Sequence, residues 1–167
     1  ASSSAASDVY KRQDGRGLEI NQKNVQECLG KGLAVIEGDA EKDLINYPNR
    51  SFDVAILNQA IQQFYEPRRV LNELLRIANK AISTIPNFGY WKVRLNLLLT
   101  GTMPVTKTLP HSWYDTPNLH MSSIKDFYNL CNLDNFKVIK SISISSNKIS
   151  DITSNNLEIK NLVSELG

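Results

Sequence analysis

Two carboxylates in this sequence stand where short apolar runs end. Glu19 lies near the close of Gly17-Leu18-Glu19-Ile20, and Asp39 follows the run Leu33-Ala34-Val35-Ile36-Glu37 and Gly38. A carboxylate at the tip of the second strand of a nucleotide-binding half can accept hydrogen bonds from both hydroxyls of a ribose. The same position equally suits a solvated acid at a strand end. Asp39 has two readings as well: an acceptor for an adenine amino group, or an Asx turn that fixes its own loop. Asn58 and Gln59 end a third run, FDVAIL, and Asn87 follows a fourth, AISTI, which Pro86 stops.

A second group of polar and aromatic residues falls in a proline-rich stretch, residues 102–121. It holds Trp113, Tyr114, Asp115, Asn118 and His120. Long ordered loops of this kind are often lids or recognition surfaces, although a loop packed by its own aromatics has the same composition. His111 and His120 have no flanking cysteine or acid cluster, so the spacing predicts no metal site. There is no G-x-S-x-G elbow for an esterase. Asp14-Gly15-Arg16-Gly17 precedes a strand and opens no helix, so it reads as a turn rather than a phosphate or cofactor cradle. Cys28 and Cys131 fit neither a CxxC motif nor a disulfide framework and read as reduced core thiols of a cytosolic protein.

The elements that must position these residues follow from the apolar pattern. Strands are expected at Leu18–Ile20, Val35–Glu37, Val54–Leu57 and Ile82–Ile85. Between them, Asn21 can cap a helix to about Leu29. A second helix starts near Pro67 with Val70, Leu71, Leu74, Leu75 and Ala78 on one side. Alternating short apolar runs and helices imply right-handed crossovers and a mostly parallel sheet flanked by helices, an α/β fold. Ligands of such sheets lie beyond the carboxyl ends of the strands, where Glu19, Asp39, Asn58, Gln59 and Asn87 fall. Further on, Trp91, Val93, Leu95 and Leu97 alternate like a strand, but Trp91, Leu95 and Leu98 also sit at helical spacing, and Trp91–Leu99 is read as a helix closed by Gly101. Ser123 and Asp126 read as a capping box opening a helix to about Cys131, and Phe136–Ile144 as a last strand. The polar stretch Ser145–Asn156 reads as a loop, and Leu157–Leu166 as a terminal helix.

With 167 residues, 19 Lys+Arg and 17 Asp+Glu, the chain is of one-domain size and nearly neutral. No basic stripe points to nucleic acid, and no apolar run approaches the ~20 residues of a membrane helix. Residues 1–13, ASSSAASDVYKRQ, read as an artefact-like disordered segment, which leaves residues 14–167 as the folded unit.

Beyond these patterns, GRGLEI, VIEGDAEKDL, SFDVAILNQAIQ and above all TIPNFGYWKVRLNLLLTGTMPVTKTLPHSWYDTPNLHMSSIKDF resemble the MetW family of methionine biosynthesis proteins. The resemblance spans about Gly15 to Ser141. It implies a Rossmann-like class I methyltransferase fold, S-adenosylmethionine as cofactor, a cytoplasmic location and homoserine O-acetyltransferase as partner. By position it assigns Glu19 to the ribose, and Asp39 with Ala40 to the adenine side. Asn58 and Gln59 become the residues ending the fourth strand of the complete fold. In the distal block it makes Asn87, Trp113, Tyr114, Asp115, Asn118 and His120 a substrate or partner surface. Three departures stand out. The family's first strand with its D-x-G-C-G-x-G loop is expected before Gly15, and its final strand after Gly167. Tyr90 replaces an expected histidine. The fold is therefore expected to be incomplete at both ends, with cofactor binding weak or absent in this chain. The resemblance leaves three functions open: an accessory protein of the acetyltransferase, a small-molecule methyltransferase, and a noncatalytic remnant of the fold. For a methyltransferase the candidate clamps are Asn87, Tyr114 and His120, although methyl transfer can also run on proximity alone.

Overall fold

In the computed structural model, residues 14–106, 108–145, 148–164 and 166 are described; the segment expected to be disordered, 1–13, lies outside them. Strand β1 (Gly17–Glu19) leads into helix α1 (Gln22–Gly30). Asn21 starts that helix as expected, its side-chain oxygen accepting from the Lys23 and Asn24 amides at 2.9 and 3.4 Å. The chain returns as β2 (Val35–Glu37), parallel to β1 with Leu18 opposite Ile36 and Glu19 opposite Glu37. A short helix α2 (Ala40–Asp43) and a 3-10 turn lead to β3 (Phe52–Asn58). After a second 3-10 turn, Ile61–Gln63, come α3 (Pro67–Ile77) and β4 (Ala78–Thr84). β3 and β4 are parallel, with Ile56 opposite Ile82 and Asn58 opposite Thr84.

The main core is built between this second pair and α3. Proline in the first turn of α3 sets the helix entry without losing a needed N–H. Val70, Leu71, Leu74 and Ile77 then line up at helical spacing and are all buried. Burying each is worth about 1.5–3 kcal/mol of transfer free energy. They meet Leu57 and Ile85 from the strands and Leu44 from the turn, with Phe127, Leu130 and Phe136 packed alongside. Two residues expected on that helix face are placed otherwise. Leu75 is substantially exposed, one step off the stripe, and Ala78 is the first residue of β4 because the helix passes into the strand with no loop between them. Arg76, at the end of α3, donates to the carbonyls of Leu44 and Tyr47 at 2.9 and 2.8 Å and to Asn49 Oδ1 at 2.6 Å. It thereby ties down the polar loop before β3.

The expected parallel strands are all present, but as two separate pairs, β1–β2 and β3–β4. β1 and β3 are not hydrogen-bonded to each other. Val54, Ile56 and Ile82, on the sheet face opposite α3, are 44, 68 and 52% exposed.

The distal half begins with α4 (Trp91–Thr100), closed by Gly101 in the left-handed region at φ 67°. α5 (Ile124–Leu133) opens on the expected capping box. Ser123 Oγ accepts from the Asp126 amide at 3.3 Å, and Asp126 Oδ2 accepts from the Ser123 amide at 2.9 Å. Arg68 of α3 forms a two-pronged ion pair with Asp134 at the end of α5, one prong being Nε to Oδ2 at 2.7 Å.

The expected strand Phe136–Ile144 shrinks to β5 (Ile142–Ser145). Phe136 turns into the main core after Asn135 takes a left-handed φ of 55°, and residues 137–141 make no ladder. The expected loop Ser145–Asn156 contains a strand, β6 (Lys148–Asp151), antiparallel to β5. Its serine-rich composition masked a hairpin in which Ser143 and Ser150 face each other. The final helix, α6 (Leu157–Val163), is shorter than expected. After it Leu166 is extended and exchanges 3.1 Å backbone bonds with Ile144.

Candidate functional site

The candidate residues fall at the carboxyl ends of the strands, in two groups. In the first, the tips of β1 and β2 lie side by side, and the Gly38 amide donates to the Glu19 carbonyl at 3.0 Å. Gly38 has no room for a side chain: a Cβ would come within 2.7 Å of both Asp43 Oδ2 and Leu18 Cδ1. Glu19 is half-buried, and its Oε1 accepts from the Asn21 amide at 2.8 Å, so the carboxylate is oriented at the start of α1.

Asp39 acts first as the turn residue of the more modest reading. Oδ1 accepts from the Glu41 amide at 3.0 Å, and Oδ2 lies 2.9 Å from Lys42 Nζ. Asp43 Oδ2 in return accepts from the Asp39 amide at 2.7 Å. The hydrogen bond from Lys42 holds the Asp39 carboxyl below its ordinary range, with desolvation opposing and the Glu41 amide assisting. Ala40 is the first residue of α2, directly behind this turn.

In the second group, Asn58 and Gln59 are locked to the end of β4 by Thr84. The Thr84 hydroxyl donates to Asn58 Oδ1 at 2.7 Å and accepts from the Gln59 amide at 2.9 Å. Gln59 has a left-handed φ of 48°, an unusual conformation for a residue with a side chain and one that marks the sharp exit from β3.

Gln62 was not among the residues singled out from sequence. It is buried, and its Nε2 donates to the Gln59 carbonyl at 2.7 Å. Its own carbonyl accepts from the Leu119 and His120 amides at 2.9 and 3.0 Å, which docks the end of the long loop beside β3. Its Oε1 has no hydrogen-bond partner. The signals that pointed here were slight: a polar residue inside the run Asn58–Gln63, and a hydroxyl at the tip of β4.

The distal candidates separate. Asn87 is 2% exposed, and its side chain is committed to the protein. Nδ2 donates to the carbonyls of Asn161 and Ser164, both at 2.7 Å, while Oδ1 accepts from the Gly89 and Ile124 amides at 2.9 and 3.3 Å. It fastens α6 and α5 to the turn after β4, which is a structural duty. Trp113 and Tyr114 are each 75% exposed and meet edge to face, ring centres 5.7 Å apart. The Asp115 amide closes a turn on Ser112 at 3.0 Å, and the Asn118 amide bonds Thr116 Oγ1 at 3.2 Å. His120 is exposed, reaching the β3 side only through its backbone. Among the described residues no group of three or more His, Cys, Asp or Glu could hold a metal, and no helix is long and apolar enough to cross a membrane. Cys28 and Cys131 are both free; Cys131 is buried, which pushes its thiol up, whereas Cys28 is partly exposed.

Parallel strand pairs flanked by helices make an α/β fold, and the solved structures that share it are S-adenosylmethionine-dependent methyltransferases. Two solved structures of that class are similar to this chain. One, a methyltransferase from Thermotoga maritima described as a possible histamine N-methyltransferase, has a TM-score of 0.63 at 17% identity, over 90% of this chain and 69% of that one. The other, from Archaeoglobus fulgidus, has a TM-score of 0.53 at 14% identity, over 90% and 72%. At these identities the likeness is one of fold. Within that class, residues 8–167 match the family of the methionine biosynthesis protein MetW, and the chain belongs to that family. A curated relative, the bifunctional methionine biosynthesis protein MetXA/MetW of Rhodopirellula baltica, is 31% identical over 115 residues. The match takes in 68% of this chain but only 18% of that relative's length.

Proposed function

We propose that this chain is a cytoplasmic accessory protein of methionine biosynthesis that binds homoserine O-acetyltransferase and supports its activity. Membership of the MetW family carries the reading, and the bifunctional relative, whose name joins MetXA to MetW in one polypeptide, supports the choice of partner. The loop Met103–Asn118 offers the recognition surface: Trp113 and Tyr114 present rigid apolar area to solvent at low entropic cost. The test is a titration of homoserine O-acetyltransferase from the same organism with this chain, followed by rate of homoserine acetylation. Trp113→Ala should weaken that support without lowering the melting temperature. Normal support in a normally folded variant would remove the loop from the account.

The cofactor side of the proposal rests on Glu19 and Asp39. Their partly exposed carboxylates fit the ribose and adenine of S-adenosylmethionine, with Glu19 already oriented by the Asn21 amide. Asp39 fits less freely, since Lys42 and the Glu41 amide already use its oxygens. When bound, S-adenosylmethionine supplies an electrophilic methyl group. The residues of this chain anchor its nucleoside end. One observation favours a second reading, methyl transfer to a small molecule: the unpartnered Gln62 Oε1, beside β3, could accept from an amine or hydroxyl. Formation of S-adenosylhomocysteine with candidate acceptors, abolished in Gln62→Met, would support it.

A further inference from the structure

Helix α4 is turned inside out relative to an ordinary surface helix. Of its ten residues only Val93 is buried, against Tyr90 and Leu109, with Phe88 packed alongside. Trp91, Leu95, Leu98 and Leu99 are 42, 42, 80 and 73% exposed. Their spacing of three and four places them on one face, as a row of anchors about 12 Å long. Val105, 60% exposed, continues the apolar surface into the loop beyond Gly101. Soluble monomers rarely expose an apolar surface of this extent without a partner.

The charges beside the row indicate what that partner is like. α4 carries two cations and no acid. Arg94 is pinned by its Nε to the Gly89 carbonyl at 2.6 Å, and Lys92 Nζ stays 5.7 Å from the centre of the Trp91 ring. A second copy packed on this face by two-fold symmetry would bring cations and no acid from both helices to the seam. An apolar groove with an acidic rim fits instead, as a helix laid into a groove is read through anchors at such spacing.

We infer that the exposed row of α4 is the face through which this chain docks on homoserine O-acetyltransferase, inserting Trp91, Leu95, Leu98 and Leu99 into an acid-rimmed apolar groove. The inference rests on the proposed partnership and adds to the loop surface a second, helical one and its chemistry.

The test is calorimetric titration of the full chain against homoserine O-acetyltransferase, for the wild type, Leu98→Glu, Lys92→Glu and a control, Leu133→Glu. Leu133 is a comparably exposed leucine, 68%, at the far end of α5. Leu98→Glu should weaken binding at least tenfold with an unchanged melting temperature. Lys92→Glu should weaken it several-fold, more so at low salt, and Leu133→Glu should match the wild type. Wild-type binding that survives Leu98→Glu would overturn the docking face while leaving the partnership intact. No wild-type binding would overturn both. Sedimentation and flotation with phosphatidylglycerol vesicles complete the test. If Leu98→Glu abolishes self-association or vesicle binding while acetyltransferase binding persists, the face belongs to a second copy or a membrane and the inference fails.

Discussion

Replacing Asn87 by alanine should destabilise the fold rather than abolish a binding function. The side chain makes four hydrogen bonds inside a region that is 2% exposed, two as donor to the ends of α6 and two as acceptor for the Gly89 and Ile124 amides. Truncation strands two carbonyls and two N–H groups away from water. At about 1 kcal/mol per bond, less what relaxation and water entry recover, the expected loss is roughly 3 kcal/mol. For a domain of this size that lowers the melting temperature by about 6–12 °C. Asn87→Asp should be no better. It retains the acceptors but leaves both carbonyls without a donor, and it buries a carboxylate beside them. Urea unfolding followed by circular dichroism gives the free energy directly. A loss below about 1 kcal/mol in Asn87→Ala would refute the bracket, since four buried partners cannot be stranded at that cost. Stability unchanged together with lost ligand or partner binding would return Asn87 to the functional surface.

Gly38→Ala should destabilise the β1–β2 unit by about 1–3 kcal/mol, because its Cβ meets Asp43 Oδ2 and Leu18 Cδ1 at 2.7 Å; an unchanged urea midpoint would contradict this. Asp39, its carboxyl held low by Lys42, contributes stability above its ordinary value of 3.8 and loses it as pH falls through the lower, folded-state value. Wild type should therefore exceed Asp39→Asn in stability at neutral pH, with the gap closing only in strong acid; a gap constant from pH 7 to pH 2 would refute that linkage. Glu19→Ala should lower any measurable affinity for S-adenosylhomocysteine by about 1–3 kcal/mol in calorimetry, the scale of hydrogen bonds to a charged acceptor. Equal affinity would show that the carboxylate is a solvated strand-end acid.

The elements of the first half were legible because their signals are local. Asn21 and Pro67 punctuate helices by backbone chemistry, and the apolar stripe of α3 has a single period. The positions of Glu19 at the end of β1 and of Asp39 just beyond β2 were legible too, since each follows a short apolar run. Asn87 was not. Its position after a strand suggests a ligand edge, and only the fold reveals that residues 161 and 164 return to consume its amide. Nor was β6, whose four residues Lys-Ile-Ser-Asp are too few and too polar to show a strand period. Gln62 escaped because its significance lies in what it lacks, a partner for Oε1, and in long-range backbone bonds to residues 119 and 120. Adjacent apolar runs announce strands but not which edges meet.

The central claim, that this chain supports homoserine O-acetyltransferase, is tested most directly by measuring the initial rate of L-homoserine acetylation by that enzyme with and without an equimolar amount of the chain. The account predicts a higher rate, or a longer active lifetime at fixed temperature, that saturates at a fixed ratio of the two proteins and is reduced by Leu98→Glu. A rate and lifetime unchanged at every ratio, with both proteins folded, would contradict it.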